Sequence, residues 1–422
     1  HVRVIMVGDP QQLGNDAAAA FEYCQSSGAM LENFEESGTE IDPECELMVD
    51  ALLGSGLKGE VRPRYRAAIQ MINRADLPVL AVDIPSGLCA DTGNELGHAV
   101  RASKTVTFIG LKRGLLTGQG PDLAGELVFS SLDVPDRIYT KVRAETVKLA
   151  WERNVASLPR RSRSAHKRHF GHVLIVGGDA GMGGAVSMAA EAALRTGAGL
   201  VSVATHPVHA GSLIVRRPEL MVRGVKSPDE LDPLLERASV VVLGPGLGRS
   251  QWSVGLFERI IGESLPLVID ADGLNMLAQS VSHRDNWILT PHPGEASRLL
   301  TGASENGSNR FTAIQRLQET YGGVVLLKGA GTLIYGGDAQ AAGSTTRLCP
   351  YGNPGMSSAG MGDVLSGIIG GLVAQGLNLL DSAILGAVVH ARAADDLAAR
   401  EGERGMVATD LIPVVRRLLN ER

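Results

Sequence analysis

The sequence contains little cysteine, and its four cysteines form no pattern typical of a metal site or a disulfide framework. They are Cys24, Cys45, Cys89 and Cys349, and no two of them have Cys-x-x-Cys spacing. Disulfide-rich domains and cysteine-ligated zinc sites both depend on recognisable cysteine spacings. These classes are therefore excluded, and reduced thiols predict a cytoplasmic protein.

An excess of positive charge and long apolar runs are also missing. The 40 lysines and arginines are outnumbered by 46 aspartates and glutamates, and the formal net charge is -6. Nucleic-acid-binding surfaces are strongly basic, so we expect no nucleic-acid partner. No apolar run reaches the roughly 20 residues that a membrane-spanning helix needs, so we expect no membrane span. Small acidic ligands remain compatible with this charge.

Glycine, in contrast, is abundant. The chain has 52 glycines in 422 residues, which is about 12% where about 7% is average. This excess fits many strand-to-helix turns. An apolar strand within residues 171–178, an alanine-rich helix over residues 185–196 and a strand within residues 199–205 form a βαβ unit, and the pattern repeats to Arg417. It predicts a mostly parallel α/β sheet, and the length predicts two domains.

The domain boundaries are expected in a basic segment. We predict a first domain over residues 1–150, a linker over residues 151–168 and a second domain over residues 169–422, because residues 157–168 are basic and contain a proline. Three histidines recur nearby at three-residue steps, a spacing that a metal site could use. They fall where a linker enters a strand, so we do not expect them to share a face or to bind a metal. They are His166, His169 and His172.

The most informative stretch is glycine-rich and covers residues 353–376. Gly360 and Gly362 lead to Asp363, and the apolar run 364–374 predicts a buried helix. Glycines let a ligand approach the backbone, and the N–H groups at a helix N-terminus favour an anion such as phosphate. A carboxylate there repels phosphate, so the favoured role of Asp363 is to take a proton from a hydroxyl that attacks phosphorus. The alternative is an aspartate that only stabilises the helix N-terminus.

Three further regions place glycines or a histidine directly after an apolar strand. In open parallel sheets, ligands bind beyond the carboxyl ends of the strands, so each region is a candidate binding loop. Lys328 and the glycines after it suit a nucleotide phosphate, although a plain hairpin is the alternative. His292 lies between two prolines and either faces a ligand or is a surface imidazole without a role. The regions are 239–248, 268–277 with 287–300, and 324–334.

Together these strand ends resemble a known family. From about Leu158 to the C-terminus, the chain resembles the ADP-dependent NAD(P)H-hydrate dehydratases, a branch of the ribokinase-like superfamily. The resemblance covers a whole domain, and TPHPGE combined with the long block over residues 181–205 makes it specific. Arg168, where the family often has glycine, is a departure in an exposed segment. The matching segments are residues 165–178, residues 181–205, LGPGLG, TPHPGE, LLKGAGT and NPGMSSAGMGDVLSG.

The resemblance implies a metabolite-repair activity. The second domain would remove water from the hydrated nicotinamide ring of NADHX or NADPHX, with ADP as phosphoryl donor and Mg2+, and would release AMP and phosphate. Asp363 would accept the hydroxyl proton, while the amides of residues 359–362 steady the transferring group. The implied nucleotide contacts are Lys328, Gly329, Ala330, Gly331, Thr332 and Gly362. The implied hydrate contacts are Ala185, Gly246, Gly248, His292 and Asp363, and the family also suggests a homo-oligomer.

The first part of the chain resembles the NAD(P)H-hydrate epimerase domain that bacteria commonly fuse ahead of this dehydratase. Residues 49–62 and 79–93 carry the resemblance, as apolar strands that end in glycine-rich turns of a Rossmann-like, doubly wound sheet. By this resemblance Asp50 and Ser86 would help to hold K+, and Asp83 would lie at the reacting ring. Such a domain would interconvert the two hydrate epimers. The implied substrate contacts are Gly54, Ser55, Gly56, Leu57, Lys58, Gly59, Glu60 and Asp83.

The start of the sequence leads us to expect an incomplete first domain. His1 is not an initiator, and residues 2–8 are already a predicted strand. The family's asparagine- and glycine-rich loop, which supplies a further K+ ligand, would lie before this point. We therefore expect a fragment or an incomplete gene model without efficient epimerase activity. The alternative is a natural short form with a degenerate first domain.

Two other functions fit parts of the pattern. The Gly-x-Gly-Asp geometry serves any hydroxyl, so a kinase of a small alcohol or vitamin precursor is one alternative, and its phosphate ester would accumulate. A nucleotide-binding regulatory module that has lost catalysis is the other. Asp363 within an intact glycine turn disfavours the regulatory module for the second domain.

Overall fold

The computed structural model describes residues 1–142, 144–300, 309–336 and 345–421. The chain divides into two compact units, His1–Arg143 and Ala144–Arg422. Among the described residues, no helix combines the length and the apolar character that crossing a bilayer would require.

The first unit is built from parallel strands joined by helices. Its strands are β1 (Arg3–Met6), β2 (Met30–Asn33), β3 (Met48–Asp50), β4 (Val79–Val82), β5 (Lys104–Phe108) and β6 (Glu126–Ser130). Its helices are α1 (Asn15–Ser26), α2 (Pro63–Arg74), α3 (Gly120–Ala124) and α4 (Asp136–Lys141). β1 pairs with β2, and a separate parallel sheet has the order β3-β4-β5-β6. α2 begins at a proline, which suits the first helical turn, and it buries one apolar face against the sheet.

The carboxyl ends of β3 and β4 gather the polar residues of the first unit. Asp50 is the last residue of β3, and Asp83 and Ser86 follow β4. The two strands are parallel neighbours, so these ends meet at one edge of the sheet. Asp83 has a left-handed backbone with φ 70°, a conformation that aspartate adopts more readily than most residues.

The second unit is one large sheet with helices packed on it. Its strands are β7 (Thr146–Lys148), β8 (His172–Val176), β9 (Leu200–Thr205), β10 (Met221–Gly224), β11 (Val240–Leu243), β12 (Leu267–Ile269), β13 (Trp287–Leu289), β14 (Val324–Leu327), β15 (Thr332–Gly336) and β16 (Thr346–Cys349). Its helices are α5 (Trp151–Val155), α6 (Gly183–Thr196), α7 (Ala210–Arg216), α8 (Asp232–Leu235), α9 (Gln251–Ile261), α10 (Ala271–Leu277), α11 (Pro293–Leu299), α12 (Arg310–Tyr321), α13 (Met361–Ala374), α14 (Leu379–Glu401) and α15 (Ala408–Leu418). The strand order is β10-β9-β8-β11-β12-β13-β14-β15-β16-β7, and only β15 runs antiparallel to its neighbours in this described sheet.

Helix α13 lies in the centre of the second unit. Of its 14 residues, 12 are buried, as expected for a helix that is apolar on all sides. Two glycines allow its close packing: a Cβ on Gly367 would collide with the carbonyl of Ala189 on α6, and one on Gly370 would collide with Val242 on β11. This packing fixes the first turn of α13, which carries Asp363.

The second unit begins before the predicted linker ends. β7 pairs in parallel with β16, and Leu149 is buried in the same core as the central strands. The N–H of Trp151 donates to the hydroxyl of Tyr351 at 3.0 Å, and Leu158 is buried against α13 and α15. These contacts place the start of the unit at Ala144 rather than at residue 169, because part of the segment 151–168 is folded onto it.

We therefore expect a fragment of residues 144–422 to be more stable than one of residues 158–422. The shorter fragment lacks β7 and the buried side chain of Leu149, and loss of a buried leucine costs about 2–5 kcal/mol. Differential scanning calorimetry should show a melting temperature lower by about 5 °C or more in the shorter fragment. Equal melting temperatures would show that residues 144–157 do not belong to the folded unit.

Candidate active site

Asp363 lies in the first turn of α13, behind a turn that only glycine fits well. Gly360 caps the helix with φ 91°, which is in the left-handed region. A Cβ on Gly362 would lie 3.3 Å from Nζ of Lys328 and 3.4 Å from Oδ2 of Asp270. The structure therefore brings the predicted residues Asp363, Gly362 and Lys328 together, and it adds Asp270 to them.

Lys328, at the carboxyl end of β14, contacts two carboxylates, one at the carboxyl end of β12 and one in helix α11, which follows β13. Its Nζ lies 2.8 Å from Oδ1 of Asp270, which follows β12, and 3.8 Å from Oε2 of Glu295 in α11. The carboxylates are almost fully buried, with side-chain exposures of 2% for Asp270 and 6% for Glu295. We refer to Asp270, Glu295 and Lys328 as the carboxylate–lysine cluster.

The pKa of Asp363 is raised to about 7. Burial is the largest cause, and the negative charges of Asp270 and Asp272 add to it, while Lys328 acts in the opposite direction. A carboxylate with a pKa near the working pH is suited to general base catalysis, because it can both lose and accept a proton there.

The neighbouring groups in the cluster are also shifted. Burial disfavours the charged form of Lys328, but the charges of Asp270, Glu295 and Asp363 outweigh it and raise the pKa of Lys328 above its usual value. Burial raises the pKa of Glu295, and Lys328 partly offsets this rise. The cluster thus holds a lysine in its charged form directly behind the glycine turn.

Arg310 organises the loop predicted to bind the nucleotide. From the start of α12, its guanidinium donates to the backbone carbonyls of Leu327 at 3.3 Å, Lys328 at 3.2 Å and Gly331 at 3.0 Å, and also to that of Ala330. Burial lowers its pKa to about 10, so it stays charged at neutral pH. The backbone of Lys328 is also engaged, since its N–H donates to the carbonyl of Pro291 at 2.9 Å.

The remaining nucleotide residues lie in the same loop. Gly329 and Gly331 have φ 138° and 63°, both in the region that favours glycine. The hydroxyl of Thr332 donates to the carbonyl of Gly329 at 3.1 Å, which closes the turn between β14 and β15. The carbonyls of Leu327, Lys328, Ala330 and Gly331 accept from Arg310, which holds the loop in one shape. Backbone N–H groups are the donors that a loop of this kind offers to a phosphate.

The predicted hydrate contacts fall into two groups. A Cβ on Gly246 would lie 3.0 Å from Cβ of Ala185, so these two residues are in contact. The N–H of Gly248 donates to Oδ2 of Asp272 at 2.9 Å, and Asp272 is one of the charges that act on Asp363. Ala185, Gly246 and Gly248 therefore form one surface that is coupled to Asp363 through Asp272.

His292 forms the second group and is also the cap of a helix. Its Nδ1 accepts from the N–H of Gly294 at 3.0 Å, and its own N–H donates to Oε2 of Glu295 at 2.8 Å. The ring is half exposed. His292 is thus hydrogen-bonded to Glu295 of the carboxylate–lysine cluster, and the exposed edge of its ring is accessible to a ligand.

In the first unit, Asp50 and Ser86 are bonded to each other. Ser86 donates its N–H to Oδ2 of Asp50 at 2.7 Å and its hydroxyl to Oδ1 at 2.6 Å. Burial raises the pKa of Asp50, although the bonds from Ser86 lower it. Within the described residues, no basic side chain forms an ion pair with Asp50.

Asp83 stands apart from this pair and binds a lysine that the sequence did not reveal. Its Oδ1 accepts from the N–H of Phe108 at 3.0 Å and forms an ion pair with Nζ of Lys112. The predicted contact loop follows β3 directly, and its residues are exposed except for the half-buried Leu57. They are Gly54, Ser55, Gly56, Leu57, Lys58, Gly59 and Glu60.

Metal ligands are not preassembled in the part of the chain that the structure describes. No group of three or more histidine, cysteine or acidic side chains is placed to hold a metal ion there. His166 and His169 stack on each other, and His172 instead bonds to Ser202 and to the carbonyl of Arg237.

Comparison with solved structures identifies the class of fold. A ribokinase-like superfamily protein of Enterococcus faecalis aligns with a TM-score of 0.60 and 27% identity, covering 66% of this chain and 96% of its own. The ADP/ATP-dependent NAD(P)H-hydrate dehydratase of Bacillus subtilis aligns with a TM-score of 0.55 and 24% identity, covering 64% and 96%. The second unit therefore has a ribokinase-like α/β fold.

Comparison with protein families identifies the family. The family described as NAD(P)H-hydrate dehydratase matches residues 173–417, and that described as YjeF-related protein N-terminus matches residues 1–114. A bifunctional NAD(P)H-hydrate repair enzyme of Coxiella burnetii is 50% identical over 420 residues, covering 99% of this chain and 84% of that protein. One of Escherichia coli K12 is 45% identical over 410 residues, covering 97% and 78%. The chain belongs to the family of bifunctional NAD(P)H-hydrate repair enzymes.

These comparisons confirm the resemblance and the two-domain α/β architecture predicted from the sequence. The epimerase-type domain is present in the chain, since its family matches residues 1–114, so the prediction of a first domain without efficient epimerase activity is not supported. The sequence did not reveal Asp270, Glu295 and Arg310 as parts of the site. The signal for Asp270 was available, because it directly follows the apolar strand β12.

Proposed function

We propose that the second unit dehydrates (6S)-NADHX and (6S)-NADPHX with ADP as phosphoryl donor, releasing AMP and phosphate. The observation that carries this proposal is Asp363, whose pKa is raised to about 7 at the N-terminus of α13 beside the carboxylate–lysine cluster. A base so placed can take a hydroxyl proton close to a bound phosphoryl group. The names of the relatives in this family support the substrate.

The chemistry proceeds in two steps. Asp363 takes the proton from the ring hydroxyl while the hydroxyl oxygen attacks the β-phosphorus of ADP. AMP leaves, and a phosphate ester of the ring forms. Hydroxide is a poor leaving group, whereas phosphate is a good one. The lone pair of the ring nitrogen then expels phosphate, and loss of a ring proton restores the dihydronicotinamide. The N–H groups at the start of α13 stabilise the charge on the transferring group.

The nucleotide would be bound by the backbone of residues 328–332 and Gly362. The hydrate would be faced by the surface formed by Ala185, Gly246 and Gly248, and also by His292. Magnesium would neutralise charge on the ADP phosphates. It would enter with the nucleotide, since the described residues contain no preassembled metal site.

For the first unit, we propose interconversion of the R and S hydrates, so that the second unit can consume both. Asp50 and Ser86 supply carboxylate and hydroxyl oxygens, which suit a hard cation such as K+. A cation there would also compensate the buried charge of Asp50. Asp83 with Lys112 would lie at the reacting ring, and the exposed loop from Gly54 to Glu60 would contact the substrate.

Replacing Asp50 with asparagine should remove most of the K+ stimulation of epimerisation. The substitution keeps the shape but removes the charge that attracts the cation, and we expect the rate at saturating R hydrate to fall by about 10-fold or more. The exposed Asp122→Asn in α3 is the matched control. Conversion of pure R-NADPHX should be followed with and without K+. An unchanged response to K+ in the Asp50 variant would place the cation elsewhere.

The function of the second unit is tested by incubating the protein with purified S-NADHX and ADP and following the absorbance of NADH. We expect recovery of NADH only when ADP is present. A phosphate ester that accumulates without NADH would instead identify a kinase. Binding of ADP without any turnover would identify a regulatory module.

A further inference from the structure

The carboxylate–lysine cluster lies beneath the glycine turn, and its side chains are mostly buried rather than exposed at the surface of the site. Asp270 comes from the end of β12, Glu295 from α11 and Lys328 from the end of β14. The side chain of Lys328 is only one-fifth exposed. Buried charges are costly unless they are paired and hydrogen-bonded, and here the 2.8 Å contact between Lys328 and Asp270 provides both.

Gly362 places this pair directly beneath the turn that carries Asp363. A Cβ on Gly362 would make tight contacts of 3.3 Å with Nζ of Lys328 and 3.4 Å with Oδ2 of Asp270, so the glycine leaves room for the pair close to the backbone. A lysine held from below by two carboxylates has its charge already engaged, so it is poorly placed to neutralise a phosphate above the turn. Its charge acts instead on Asp363, the residue that follows Gly362, and favours the ionised form of that carboxylate.

We propose that Asp270 and Lys328 are positioning residues whose opposite charges balance the ionisation of Asp363, and that neither side chain contacts ADP or the hydrate. The proposal rests on the proposed function of the second unit. Asp270 opposes ionisation of Asp363 because the charges are alike, and Lys328 favours it because the charges are opposite. Glu295 holds Lys328 in place and is itself fixed by the N–H of His292.

Other charged groups near α13 have separate partners. Asp272 also opposes ionisation of Asp363, and it accepts from the N–H of Gly248. His390 of α14 is buried, and burial with the nearby Lys328 lowers its pKa to about 4, so it is neutral at the working pH. On α6 Glu191 pairs with Arg217, and on α15 Asp410 accepts from the N–H of Val407. Replacing Asp270 and replacing Lys328 should therefore shift the pKa of Asp363 in opposite directions.

Two variants test the proposal through the pH dependence of kcat/KM for S-NADHX. Activity requires ionised Asp363, so the profile rises through its pKa as the pH increases. Asp270→Asn removes a like charge and should shift the midpoint of this rise to lower pH by about one unit or more. Lys328→Met removes an opposite charge and should shift the midpoint to higher pH by about one unit or more. The exposed Lys226→Met is the matched control and should leave the midpoint unchanged.

Nucleotide affinity provides the second measurement. Titration calorimetry with ADP and Mg2+ should give dissociation constants for both variants within about threefold of the wild type, because the backbone of the loop, not the ammonium, binds the phosphates. Lys328→Met leaves two buried carboxylates without their cation. If it does not fold, the double variant Asp270→Asn/Lys328→Met removes the pair together, and comparing it with Asp270→Asn isolates the effect of Lys328.

A measurement without turnover separates this proposal from the proposed function. The carboxyl carbon of Asp363 can be titrated by NMR in protein with 13C-labelled aspartate, with Asp363→Asn to assign its signal. Opposite shifts of this titration in the two variants would support the positioning pair. They would do so even if the wild type made no NADH, because a lack of NADH would overturn only the proposed function. Shifts in the same direction, no shifts, or a loss of ADP affinity above 10-fold in Lys328→Met would overturn the positioning pair.

Discussion

Replacing Asp363 with asparagine is expected to lower the rate of NADH formation by about 100-fold or more, because a general base contributes about that factor. The amide has nearly the shape of the carboxylate but cannot accept the hydroxyl proton. Binding of ADP should persist, since the loop of residues 328–332 is unchanged. Single-turnover measurements with S-NADHX, together with titration of ADP by calorimetry, give both values.

The pH dependence of kcat/KM provides a second test of Asp363 as the general base. The pKa of Asp363 is raised to about 7, so the ionised base accumulates as the pH rises through this value. The wild-type kcat/KM should therefore rise between about pH 6 and pH 8, and the residual activity of Asp363→Asn should lack this rise.

Asp381→Asn is the matched control, because Asp381 is also an aspartate in the first turn of a helix, α14. If Asp363 only stabilised its helix, the two variants would lose similar stability and keep similar activity. Near-normal turnover by Asp363→Asn would contradict its role as the base.

Replacing Arg310 with methionine is expected to weaken ADP binding by about 10-fold or more and to lower the melting temperature. The guanidinium donates to carbonyls of Leu327, Lys328, Ala330 and Gly331. Each buried carbonyl that loses its donor costs about 1–3 kcal/mol. The loop would then rearrange to recover these bonds with water, and its N–H groups would no longer be held in position for a phosphate.

Calorimetric titration with ADP measures the loss of affinity, and differential scanning calorimetry measures the loss of stability. Glu319→Gln, an exposed position on the same helix α12, is the control and should change neither value. Unchanged ADP affinity in a folded Arg310→Met variant would show that this loop does not bind the nucleotide.

The central part of the site could be predicted because its signals are local in the sequence. Gly360, Gly362 and Asp363 lie within four residues of one another, and the apolar run after them has the length of a buried helix. A glycine turn, a helix start and a carboxylate each have a physical meaning that does not depend on distant residues. The same holds for Lys328 after an apolar strand.

The partners of these residues could not be predicted, since they come from separate elements. Arg310 precedes Lys328 by a helix and a strand, and Glu295 reaches the same point from α11. Their convergence depends on the sheet order β12-β13-β14, which no local pattern specifies. The same limit applies to Lys112, whose pairing with Asp83 depends on the adjacency of β4 and β5.

The start of the second unit shows a related limit. Residues 157–168 are basic and contain a proline, which is typical of a linker. The preceding residues 146–149 join the far edge of the sheet through β16, which lies about 200 residues later in the chain. Short edge strands of this kind carry too few residues for periodicity to reveal them.

The most direct test of the account is the stoichiometry of a single reaction. S-NADHX, ADP and Mg2+ should be incubated with the protein, with 31P NMR to count AMP and phosphate and absorbance to count NADH. We predict equal amounts of AMP, phosphate and NADH from the wild type, and almost none of the three from Asp363→Asn. NADH formed without consumption of ADP, or a phosphorylated hydrate that persists without NADH, would contradict phosphorylation at Asp363 followed by elimination.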